Sequence, residues 1–303
     1  MKRCVHHHNR RGFTVLEFLV SISVIAVLMT LIIPAVQSAR GAARATVCRN
    51  NFRQVSVGLQ QYATIHRQFP RTGGQAGASF VTILPWLDHA ALYAALKDDT
   101  APLSRDIYKQ PSVYICPQDP VANSRPIAVS MGENCGVCVD RRKVATVGLA
   151  HDGVFLHRDD AGRSHLNSIS DGLSNTACYS EIVGYPRPDK SRLIYTHATD
   201  QLSFDDVKTQ AKKCRAASIG LPSWSMKRGS NWMHSIEQVN QYMHVLPPNE
   251  RDCLFMSGAA SMHPGGVHTA LCDGSVRFVS NSIDEMVWQA VGSRNGSDGP
   301  VKW

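Results

Sequence analysis

The chain has 303 residues, enough for one large domain or two ordinary ones and for a substantial buried core. Its net charge of +8 is concentrated at the start: Lys2, Arg3, Arg10 and Arg11 precede the first acid, and setting those four aside leaves +4 for the remainder. No run of basic residues interleaved with aromatics follows Arg53, so composition argues against a nucleic-acid partner.

Phe13 to Val36 is an apolar run of 24 residues carrying a single acid, Glu17. As a helix rising about 1.5 Å per residue it spans roughly 36 Å, more than a hydrocarbon core of about 30 Å. The run is too long for the apolar region of an ordinary secretory signal, about 7–15 residues. Arg40, Arg44, Arg49 and Arg53 follow it much as four basic residues precede it, so the positive-inside rule gives no orientation. A charged carboxylate in lipid costs at least about 2–4 kcal/mol and therefore requires a partner.

The stretch RRGFTVLEFLVSISVIAVLMTLIIPAV, Arg10 to Val36, resembles the leader and first helix of type IV prepilins and type II secretion pseudopilins. The resemblance implies cleavage between Gly12 and Phe13 by a prepilin peptidase, methylation of the new Phe13 amine, and assembly with other pilin-like subunits. It also implies that Glu17 meets the N-terminal amine of a neighbouring subunit, as half of an ion pair in lipid. The residues alone leave open a plain anchor helix whose Glu17 stays hydrated near the headgroups. On this reading residues 1–12 are the leader and residues 13–36 the membrane-spanning part.

Beyond Pro34 a helical beat continues through Gly41, Ala45, Cys48, Phe52, Val55, Leu59 and Tyr62, spaced alternately four and three apart. Arg40, Arg44, Arg49 and Arg53 lie off this stripe. Residues 37–70 therefore read as an amphipathic continuation of the same helix, ending near Phe69-Pro70 and covered by a globular domain over residues 71–303. RTGGQAGAS, from Arg71, is a loop, and a shorter helix starts past Pro85. Strand-like pieces follow: SVYICP from Ser112, KVATVGL from Lys143, GVFLHR from Gly153, TACYSEIVG from Thr176 and RLIYTH from Arg192. Because no long helix alternates with them, the expected class is α+β, a pilin-like long N-terminal helix packed on a mostly antiparallel sheet. MKRGSNWMHS, from Met226, reads as a loop carrying a Trp232 suited to burial.

VHTALCDGSVRFV, from Val267, contains Asp273-Gly274, the dipeptide favoured in a two-residue type I′ hairpin. That turn pairs Cys272 with Ser275, Leu271 with Val276 and Thr269 with Phe278, and puts Leu271, Val276 and Phe278 on the core face. YICPQDP, ISDGLSNTACYSEIVG and SMHPGGVHTALCDGSVRFVSNSID, in that order between Tyr114 and Asp284, resemble the bacterial family called domain of unknown function 1559. This resemblance implies an envelope-located, pilin-like protein and supplies almost no chemistry.

Cys135 and Cys138 form a CxxC with no second pair to complete a zinc ribbon. In a globular part outside the cytoplasm a disulfide staple is the expected state. His263 precedes the Pro264-Gly265-Gly266 turn, where an imidazole often bonds local backbone, and Asp273 has its place in the hairpin; with His268 these residues are assigned structural roles. SDGLSNT, from Ser170, has no nucleophile elbow and reads as a turn. No catalytic residue, metal or cofactor is expected. The expected protein is a non-enzymatic, single-pass inner-membrane subunit of a secretion pseudopilus or pilus, with a periplasmic or extracellular domain. The alternatives are a membrane-anchored binding module and, behind it, an anchored thiol-redox or hydrolytic enzyme.

Overall fold

The computed structural model describes residues 14–72, 77–98, 109–137, 139–140, 150–155, 164–184, 207–216, 228–235, 239–251 and 257–296. The chain divides into two units, Met1–Arg44 and Ala45–Trp303. Helix α1 runs from Val15 to His66 and stops where Arg67 takes a left-handed φ of 58°, a common way to end a helix. It is long and apolar enough to cross a membrane.

In the first unit the apolar side chains from Val15 to Val36 stay exposed, as lipid-facing residues must. The polar side chains among them are satisfied locally. Ser21 Oγ donates to Glu17 O at 2.7 Å, Ser23 Oγ to Val20 O at 2.8 Å and Thr30 Oγ1 to Val27 O at 2.7 Å. Such back-bonding hides hydroxyls that hydrocarbon could not solvate.

In the second unit the helical stripe behaves as its spacing predicts. Cys48, Phe52, Val55 and Leu59 are buried, Ala45 and Tyr62 partly so, and Arg49 and Arg53 are exposed. Phe52, Val55 and Leu59 share one core with Phe80, Tyr114, Tyr179, Trp232 and Trp288. Burying each large apolar side chain contributes roughly 1.5–3 kcal/mol. Short α-helices α2 (Ser79–Thr82), α3 (Ala90–Lys97), α4 (Pro120–Asn123), α5 (Val207–Ala216) and α6 (Glu285–Gly292) complete the α-helical set among the described residues.

The strands are β1 (Met131–Asn134), β2 (Val139–Asp140), β3 (Ala150–His151), β4 (Ala177–Glu181), β5 (Gln241–Tyr242), β6 (Gly266–Leu271) and β7 (Val276–Ser280). Five of them form a mixed sheet in the order β5-β1-β4-β6-β7, antiparallel throughout except for the β1–β5 pair. The β2–β3 ribbon stands apart as a second sheet. The fold class is therefore α+β, with the long helix followed by a mostly antiparallel sheet.

Three local expectations are corrected. The hairpin closes with His268 opposite Phe278, Thr269 opposite Arg277 and Ala270 opposite Val276, one residue from the expected register. Its loop is Cys272-Asp273-Gly274: Gly274 donates back to Leu271 O and takes a φ of 86°, while Leu271 N–H donates to Ser275 O. That is a three-residue turn with a glycine bulge, and because side chains alternate along a strand the extra residue changes the facing pairs. Phe278 is accordingly 51% exposed on the edge strand β7, and Val279 is the residue buried there. Ser112–Tyr114 is a turn of 3-10 helix rather than a strand, since Pro111 precedes it and Tyr114 N–H returns to Pro111 O. Gly153–Phe155 is a bend that hydrogen-bonds to Asn134 and Cys135. The pieces expected from Lys143 and Arg192 lie outside the described residues. Trp232 is fully buried within turns, and α5 occupies a stretch to which sequence gave no assignment.

Candidate functional site

Gly12 and Phe13, the expected cleavage pair, lie outside the described residues; the first described turn of α1 follows them in sequence. Thr14 is its cap. The Thr14 N–H and hydroxyl both donate to Glu17 Oε2 at 2.9 Å, and Glu17 N–H donates to Thr14 Oγ1 at 3.3 Å. This is a reciprocal capping box, which satisfies donors that no helix end can satisfy by itself. It also sets the carboxylate at the positive end of the helix dipole. Glu17 therefore has a partner within its own chain. The signal was present in sequence as Thr-x-x-Glu before an apolar run, but weighing Glu17 against a neighbouring amine or headgroup water passed over Thr14.

The second unit gathers ionisable groups around β4. Asp119 caps α4, accepting from the N–H groups of Val121 and Ala122 with Pro120 at the first helical position. Asp119 N–H and Asn123 Nδ2 both donate to Cys116 O, so the Cys-Pro-Gln-Asp-Pro sequence fixes the backbone of Cys116. Cys116 is joined to Cys48 of α1 by a disulfide across a separation of 68 residues, with Asn51 Nδ2 donating to Ile115 O beside it. Closing a loop of that length stabilises the fold by about 4 kcal/mol in the chain-entropy account. Of the expected Cys135–Cys138 pair, Cys135 is buried beyond the end of β1 and Cys138 lies outside the described residues.

Glu181 ends β4, and both its oxygens face histidines. Oε2 accepts the His268 N–H at 2.7 Å and has His268 Nδ1 at 3.4 Å. Oε1 stands 2.9 Å from His263 Nε2, close enough for an ion pair but without hydrogen-bond geometry, so it has no hydrogen-bond partner. The same His263 Nε2 is 3.4 Å from Cys116 Sγ. Burial pushes the Glu181 carboxyl up, and the two imidazoles more than offset this, holding it below the ordinary carboxylate range. His263 thus reaches across to another strand instead of bonding its own turn, and Ser261 does the local work by accepting His263 N–H and donating to Gly266 O. Asp273 stays in the hairpin loop, accepting from Ser275 N–H and Oγ, away from the two histidines. The stretch from Ser170 to Thr176 is a succession of turns.

Another buried carboxylate went unnoticed in sequence. Glu133, in the middle of β1, accepts the Ser79 N–H and hydroxyl at 2.6 Å each and the Ser235 hydroxyl. Burial dominates there and pushes its carboxyl up to about 7, against the lowering effect of those hydrogen bonds. A lone acid between Gly132 and Asn134 carries no signature of a hydroxyl cage built from distant segments.

Among known families, one described as Protein of unknown function (DUF1559) matches residues 37–286, and one described as Prokaryotic N-terminal methylation motif matches residues 7–33. No curated protein and no solved structure matches the chain.

Proposed function

Because the chain belongs to the family described as Protein of unknown function (DUF1559), behind a prokaryotic N-terminal methylation motif, we propose that it works as a non-enzymatic assembly subunit of a pilus or secretion pseudopilus. The leader makes it a prepilin-like, membrane-anchored protein of the type IV pilin family with a single span. On this reading a prepilin peptidase cuts after Gly12, Phe13 becomes a methylated N-terminus, and the globular domain stands on the periplasmic or extracellular side of the inner membrane.

The observation that supports the reading best is the first turn of α1. Its only acid is held by the residue that becomes second in the mature chain, with one oxygen occupied by Thr14 and the other left for a further donor. A neighbouring subunit's amine is a donor of the right charge for that second oxygen, and in lipid the pair neutralises two otherwise costly charges. Mass spectrometry of the protein from membranes tests processing; a mature chain beginning with methylated Phe13 is expected, and an intact Met1 terminus in cells containing a prepilin peptidase would refute it. Crosslinking of Glu17→Leu protein in membranes tests assembly. Loss of subunit-to-subunit crosslinks with insertion and cleavage intact is expected, and undiminished crosslinks would leave Glu17 as a helix cap alone.

A further inference from the structure

Four side chains from separate parts of the second unit converge where no part of the assembly reading needs them. Cys48 comes from α1, Cys116 from the segment before α4, Glu181 from β4 and His263 from the turn before β6. One potential ligand atom from each lies within 4.8 Å of every other, and all four residues are buried. We propose that they form a site for a divalent transition metal such as zinc, opened by reduction of the Cys48–Cys116 disulfide.

The donor set fits that ion. Two thiolates, an imidazole nitrogen and a carboxylate oxygen make the four-coordinate site zinc prefers, whereas calcium and magnesium require oxygen ligands. The carboxylate is already oriented: the His268 backbone N–H anchors Glu181 Oε2, which leaves Oε1 as the oxygen turned toward His263 and the sulfurs. That oxygen and His263 Nδ1 have no hydrogen-bond partner. A disulfide serving only as a staple explains neither the buried acid nor the buried imidazole beside it, and burying such groups without full pairing is costly.

The chemistry balances simply. A two-electron reductant, a dithiol in the envelope or a phosphine in vitro, is oxidised as the sulfur–sulfur bond breaks and the two sulfurs take up two protons. Binding of the metal then displaces both thiol protons to solvent and converts the redox change into a coordination change.

The test is a cobalt titration of the full-length protein in detergent, with and without prior phosphine reduction. Reduced protein is expected to develop thiolate-to-cobalt charge-transfer absorption that saturates at one ion per chain and is displaced by zinc. Oxidised protein should show none, and reduced Cys116→Ser protein should lose the part of it that depends on the Cys48–Cys116 pair. His263→Gln, which keeps the disulfide available during folding, should weaken cobalt binding by at least about tenfold. The proposal is overturned if reduction brings no such absorption, or if the absorption survives unchanged in Cys116→Ser. Should Cys116→Ser fail to fold, unchanged cobalt affinity in His263→Gln overturns it alone.

Discussion

Two glutamates on neighbouring strands, Glu133 in β1 and Glu181 in β4, are both shut away from solvent and are held in opposite ways. Glu133 is surrounded by neutral donors, the Ser79 N–H and two serine hydroxyls, and burial prevails, pushing its carboxyl up to about 7. Glu181 suffers the same burial but faces two imidazoles and a backbone N–H, and is held below its ordinary range. Hydrogen bonds from neutral groups reduce the cost of a buried charge only in part, while two imidazoles facing one carboxylate reduce it further. One carboxyl is built to be protonated readily and the other to stay ionised.

The largest effect should come from breaking the ionised site. Glu181→Ala removes the acid that pairs both histidines and the acceptor of the His268 N–H, and should cost roughly 3–5 kcal/mol, read as a lowered denaturation midpoint of the full chain in detergent. A loss below about 1 kcal/mol would mean that the imidazoles do not depend on Glu181. Next comes the covalent tie beside it: replacing Cys48 and Cys116 together by Ala should cost about 4 kcal/mol. If the double variant keeps the wild-type midpoint under oxidising conditions, the disulfide carries no stability.

The neutral site should give a smaller effect of opposite pH dependence. A carboxyl raised from 4.5 to about 7 contributes stability that is fully present below 4.5 and is lost as pH rises through 7, because the folded state binds the proton more tightly than the unfolded one. The loss across that window should be roughly 3 kcal/mol. Glu181 has the reverse sign: its contribution is present above the ordinary carboxylate range and fades as pH falls through its lowered folded value. Glu133→Gln should therefore flatten the decline between pH 4.5 and 7 and leave the acid limb in place, as measured by denaturation midpoints across pH. A decline that persists in Glu133→Gln would assign it to another group.

How much of this was legible depended on the distance over which each feature is encoded. The α1 stripe from Cys48 to Leu59 could be read because helical period alone decides which side chains share a face. Trp232 could be read as buried because a large apolar ring among turns has few alternatives. The hairpin was visible in Asp273-Gly274, but its register was not. The same dipeptide serves two-residue and three-residue loops, and the choice falls to contacts such as Asp273 N–H to Leu173 O, a hundred residues away in sequence. The Glu181 site combines residues from four segments, and no local pattern ties His263 to Cys116 across 147 positions. Glu133 was illegible for the same reason, since its hydroxyl partners are Ser79 and Ser235.

The smallest effect concerns a third glutamate, which extends the comparison to a site held by a single neighbour. Among the described residues Glu17 is held only by the N–H and hydroxyl of Thr14. Thr14→Ala removes the hydroxyl half of the capping box, and losing such a cap should cost about 1 kcal/mol at the start of α1. Because the apolar turns that follow are held by lipid, the loss should stay local instead of unfolding the helix. Hydrogen exchange in detergent or bilayers should report it as roughly fivefold faster exchange of the first-turn amides, with protection unchanged toward Pro34. Thr14→Ser keeps the hydroxyl and should restore wild-type exchange. If Thr14→Ala exchanges like the wild type, the carboxylate of Glu17 is being held by something other than Thr14, and a donor from a neighbouring subunit becomes the group to seek by crosslinking.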